Sequence, residues 1–183
     1  MGAERALRSA QRLRRCRSGA AEAPVERSSL DVSRARDELG FVARVGSPKL
    51  GVASATKMCR SVMIKGLEAM VIESFTTARA YGVEAAVLAS LAETFPGIDW
   101  ERQGAYFFQR VIQHGRRRAE EMREAAQTVR EAGLEPWSAA GTAQRQAWMA
   151  DLADAGVMGE RETARADWRA DADRILATLA THK

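Results

Sequence analysis

Between Gly51 and Gly82 the chain runs without a proline and with one internal glycine, Gly66. Its pattern predicts a helix from about Ala53 to Ala80, stopped at Tyr81-Gly82. The apolar residues Met58, Val62, Met63, Leu67, Met70, Val71 and Phe75 fall on most sides of that rod rather than on one. A helix that is apolar nearly all round belongs in the middle of a domain or between subunits. A chain of 183 residues built around such a rod is one domain, or one domain with tails.

The same run opens with GVASATKMCRSVMIKG, Gly51 to Gly66, which carries Lys57, Arg60 and Lys65 among residues otherwise suited to burial. At about 100° per residue, Lys57, Ser61, Lys65 and Glu68 share a sector of about 80°. Arg60 flanks it. The charges therefore form one polar stripe. A stripe of this kind is either a solvated face or the wall of a cleft. In the second case a lysine there can exchange a proton with a substrate oxygen, and Ser61, one turn later, can hydrogen-bond beside it.

The rest of the chain from Gly51 also reads as helical. Val83 to Phe95 is expected as a second helix, closed by Pro96-Gly97. Asp99 is the expected N-cap of a third, running from about Trp100 toward Arg130 and bent or split near Gly115. Gly133 and Pro136 end it. Ser138 and Thr142 are candidate caps of a fourth helix, with Ala147, Trp148, Leu152 and Ala155 on its apolar face. Gly156 and Gly159 stop that one. The segment 160–183 is expected to form a peripheral, more polar helix. The four tryptophans are expected in packing roles. Ahead of the helices, 1–38 reads as a weakly structured, arginine-rich segment, and LGFVARVGS, Leu39 to Ser47, as one short strand without a partner. The fold class is all-α: a compact multi-helix domain over 39–159 around one long central helix, with that short strand at its front.

Composition narrows the function classes. The hydrophobic fraction is 46%, as in ordinary globular proteins. No stretch approaches the roughly 18 apolar residues of a membrane span, and the start lacks the apolar region of a secretory signal. Cys16 and Cys59 form neither a metal-binding nor a disulfide spacing, which points to a reducing compartment, taken as cytoplasmic. The net charge of +4 owes much to the arginines between Arg5 and Arg17. No aromatic residue interleaves with them, so a nucleic-acid role is disfavoured.

A second constellation is QHGRRRAEEM, Gln113 to Met122. His114, Arg117, Arg118 and Glu121 share one side of a helix at i, i+3, i+4 and i+7. Paired arginines can fork onto a carboxylate or phosphate. Alternatively, this is a surface helix laced by Arg117–Glu121 and Arg118–Glu121 pairs.

The stretch GVASATKMCRSVMIKGLEAM resembles the opening of the helical domain of β-hydroxyacid dehydrogenases, the superfamily that includes 6-phosphogluconate and 3-hydroxyisobutyrate dehydrogenases. Gly51 and Lys57 match the glycine and lysine of that motif, and Ser61 stands where the superfamily usually has asparagine. KMCRSVMIKGLEAMVIES, YGVEAAVLASLAETFPGIDW and HGRRRAEEM, in that order, resemble the C-terminal domain of proteins labelled "phosphogluconate dehydrogenase, NAD-binding, putative", over roughly Gly40 to Gly159.

That resemblance implies a substrate-binding and catalytic half of an NAD- or NADP-dependent oxidoreductase acting on a small anionic hydroxy acid. It makes Lys57 the catalytic acid/base, and Ser61, Lys65, His114, Arg117 and Arg118 substrate contacts. It also implies a homodimer. A dinucleotide-binding unit needs a strand, a Gly-rich turn and a helix, and no G-x-G-x-x-G occurs here. The cofactor is therefore expected on a separate Rossmann-domain chain. The alternative is a non-catalytic helical dimerisation or interaction module.

Overall fold

The computed structural model describes residues 51–159 and 167–181. The expected segment 1–38 and the strand at Leu39 to Ser47 lie outside them. The described residues form five helices and no strand: α1 Val52–Tyr81, α2 Glu84–Thr94, α3 Trp100–Glu131, α4 Trp137–Asp154 and α5 Trp168–Ala180. None is long and apolar enough to cross a membrane.

The ends follow local chemistry. Gly82 takes a left-handed conformation (φ 67°), and the Gly82 and Val83 amides donate back to the carbonyls of Arg79 and Ala78. This Gly-terminated turn satisfies carbonyls the helix would otherwise leave open. The Asp99 carboxylate accepts from the Arg102 amide at the start of α3, and Asp167 does the same for Arg169 and Ala170 at the start of α5. The expected side-chain cap of α4 is not used. Pro136 stands at the cap position without a side-chain bond. Ser138 lies in the first turn, and Thr142 is buried in the second.

No break occurs at Gly115, and α3 is continuous. The glycine serves another purpose. A Cβ there would lie 2.7 Å from the Gln146 carbonyl oxygen on α4, so its absence lets α3 and α4 approach closely. Among the described helices these two share the most extensive contact.

Two apolar clusters fill the interior. The larger joins Ile72 and Phe75 of α1, Phe108 and Val111 of α3, Met149 of α4, and Trp168 and Ile175 of α5. The smaller joins Met122, Ala125 and Ala126 of α3 to Ala139 and Ala143 of α4, with Met58 and Val62 of α1 against them. The start of α1 thus meets the end of α3 and the start of α4. It follows that α3 runs antiparallel to both α1 and α4.

Three expectations are corrected. The final helix is not peripheral: Trp168, Asp171, Ala172 and Ile175 are buried, because the Trp168 indole stacks near Phe75 and Phe108. Trp137 does not pack and is 82% exposed. The face of α4 turned to the core is Ala139, Thr142, Ala143, Gln146, Met149 and Ala150, while Ala155 is exposed and Ala147, Trp148 and Leu152 are only half-buried.

Candidate functional site

A polar layer separates the two apolar clusters. On α1 it comprises Ser61, Lys65 and Glu68, all buried. Facing them are Arg118 and Glu121 of α3 and Gln146 of α4. The Arg118 guanidinium grips Glu68 with two donors, Nε–H at 3.0 Å from Oε2 and Nη–H on Oε1. Gln146 Nε2 donates to Glu68 Oε2 and to the Lys65 carbonyl, each at 3.3 Å. Arg110 approaches Glu68 from the half-exposed side at 4.0 Å. The Lys65 ammonium lies 2.9 Å from Glu121 Oε2 and donates to Ser61 Oγ at 3.0 Å. Arg117 holds the other oxygen of Glu121 from outside.

Burial of a carboxylate raises its pKa, and cations near it lower it. For Glu121 burial acts upward, but the Lys65 hydrogen bond and charge, aided by Arg117, leave it below the ordinary carboxylate range. The Gln146 Oε1 atom is buried without a hydrogen-bond partner among the described residues.

The sequence-derived candidates separate in two. Ser61, Lys65 and Arg118 come together in the layer, with Arg117 at its edge. Lys57 and His114 are exposed. Two surface grooves lie away from this layer. One, of about 490 Å³, lies between α1 and α2, and the other, of about 850 Å³, lies at the starts of α3 and α5. Lys57, His114 and Arg118 line neither. The expected open contact through Arg118 is corrected: its fork is spent on Glu68, and its side chain is 4% exposed. The expected Arg118–Glu121 pair is replaced by Lys65–Glu121 for the same reason.

Sequence reasoning did not single out Gln146, and it took Glu121 as a surface partner. The available signal for Gln146 was its place between Ala143 and Met149, a polar residue interrupting a face of small and apolar ones.

Residues 78–149 match the model of a family described as "Domain of unknown function (DUF1932)". That stretch of the chain is similar to this domain. No curated protein sequence matches the chain. Among solved structures, a conserved hypothetical protein from Sinorhizobium meliloti 1021 is 32% identical with a TM-score of 0.68, over 81% of this chain and 48% of that one. A second, a conserved protein of unknown function described as structurally similar to 3-hydroxyacid dehydrogenases, is 28% identical with a TM-score of 0.55, over 68% of this chain and 47% of that one. The chain thus spans about half the length of these solved structures. The described helices have a fold similar to the helical part of 3-hydroxyacid dehydrogenase-like proteins, as the residues of α1 and α3 led us to expect. Dinucleotide cofactors do not fit the described residues: five helices offer no strand and Gly-rich turn to cradle a pyrophosphate.

Proposed function

We propose that this chain is the substrate-binding half of an NAD- or NADP-dependent oxidoreductase acting on a small anionic hydroxy acid. The nucleotide fold comes from another domain or chain, and the protein works in the cytoplasm. The supporting observation is the ladder Lys57, Ser61, Lys65 along α1. Its two inner members are buried and bonded to each other, with Lys65 tied to α3 through Glu121, while Lys57 alone stands exposed. An exposed lysine on a firmly registered helix can meet a ligand held between two domains. There Lys57 would exchange a proton with the substrate hydroxyl.

The experiment is a fusion of this chain to the nucleotide-binding domain of a 3-hydroxyacid dehydrogenase, screened with NAD and NADP against small hydroxy acids. Hydride transfer that Lys57→Ala lowers by at least about a hundredfold, within the range for general acid–base catalysis, supports the reading. Transfer indifferent to that substitution, or absent from every fusion, rejects it.

A second reading, a helical dimerisation module without catalysis, is favoured by the outer face of α1. Met63 and Met70 are 73% and 62% exposed, Tyr81 is 79% exposed, and α2 beside them has no buried residue. Apolar exposure of this kind suits a second copy of the chain.

A further inference from the structure

We propose that Lys65 is a positioning residue: held by Glu121, it fixes the Ser61 hydroxyl as a hydrogen-bond donor to an oxygen of an anionic ligand lying against the Lys57 face of α1. This rests on the reading above and deepens it.

Helical serines and threonines commonly donate to the carbonyl four residues back. In this protein Thr56, Thr94, Thr128 and Thr178 all do so. Ser61 does not. Its oxygen instead accepts from the Lys65 ammonium at 3.0 Å. A hydroxyl has one proton and two lone pairs. A cation on one lone pair turns the O–H dipole away from itself, so the proton points away from Lys65. Side chains on a helix lean toward its N-terminus, and Lys57 lies one turn that way. The Ser61 proton has no acceptor among the described residues, although the residue is only 8% exposed.

The ammonium cannot swing away to release Ser61. Glu121 Oε2 holds it at 2.9 Å, and Arg117 anchors the carboxylate from outside. The result is a relay of fixed orientation, Arg117 to Glu121 to Lys65 to Ser61, ending in one donor without an acceptor among the described residues. Lys57 and Arg60 beside it add positive charge, so the matching partner is an oxygen that accepts and carries or neighbours negative charge. A carboxylate or hydroxyl oxygen of a small hydroxy acid has that chemistry.

The test is a double-mutant cycle on the full chain, with 3-hydroxybutyrate as the probe and backbone amide shifts as the readout. Wild-type protein should show saturable shifts around residues 57–65. Ser61→Ala and Lys65→Met should each weaken binding about five- to tenfold, the scale of a hydrogen bond to a charged group. The double variant should be no weaker than either single one, because both remove the same bond. Should Lys65→Met not fold, Glu121→Gln replaces it in the cycle, since it removes the charge that holds the Lys65 ammonium on Ser61. Additive losses, or unchanged binding in the folded Lys65→Met or Glu121→Gln variant, overturn the positioning role. Lys57→Ala in the same titration separates the two ideas. Binding that depends on Lys57 with an additive cycle leaves the functional reading standing and removes this inference. Binding indifferent to Lys57 removes the functional reading, and a wild type without shifts removes both.

Discussion

The carboxylate of Glu68 on α1 accepts two donors from the Arg118 guanidinium, fifty positions further along on α3, with the two side chains 1% and 4% exposed. Desolvating two charges costs several kcal/mol per ion, and the pair offsets this only when both partners are present. Arg118→Met strands a buried carboxylate and should lower stability by about 3–5 kcal/mol in urea denaturation. Adding Glu68→Leu to that variant should recover most of the loss. A double variant as unstable as the single one would show that the layer acts through more than this pair.

Gly115 gives a steric prediction. Gly115→Ala gains about 1 kcal/mol of helix propensity, but its Cβ meets a backbone carbonyl oxygen at 2.7 Å. A carbonyl within α4 cannot rotate aside, so overpacking, typically about 1–3 kcal/mol, should dominate and lower Tm. Gly141→Ala, where nothing lies within 4 Å, should raise it.

Asp171 supplies a pH dependence. Burial pushes its carboxyl above the ordinary value of 3.8, against the pull of Arg174 and Gln109. A group whose pKa rises on folding favours the native state at low pH, and that contribution is lost as pH rises through the folded-state value. Asp171→Asn should therefore raise Tm at neutral pH, and its advantage should shrink toward zero below pH 3.8. An advantage constant across that range would refute the assignment.

The outer face of α1 and α2 predicts association. If a second copy covers Met70 and Val87, sedimentation should give a dimer for the wild type. Met70→Glu with Val87→Glu should then give a folded monomer with an unchanged helical spectrum. A wild-type monomer would reject the dimerisation reading.

Much of the fold was legible because helix boundaries are written in local chemistry. Gly82, Asp99 and Gly133 marked ends within a residue or two, and the 3.6-residue repeat in Phe108, Val111, Ile112, Ala119 and Met122 marked the inward side of α3. The site was half legible. Periodicity gathered Ser61, Lys65 and Glu68 into one stripe. It could not say that the stripe faces Arg118, since the approach of α3 depends on packing across fifty residues. It also could not separate Lys57 from its neighbours, because a helical wheel records angle and not distance along the axis. Gly115 misled for a related reason: a glycine in a helix weakens it locally, and only the position of α4 shows what the gap admits.

No residue of α1 before Ser61 is buried, so its first stretch, about 13 Å at 1.5 Å per residue, projects past the interior like a cantilever. Its root is clamped by the salt-bridged layer, while among the described residues its tip is braced along the side where Met58 packs against α3 and α4. Amide protons near the tip should exchange faster than those past the clamp, and whatever docks there would slow them, turning the overhang into a built-in gauge of occupancy.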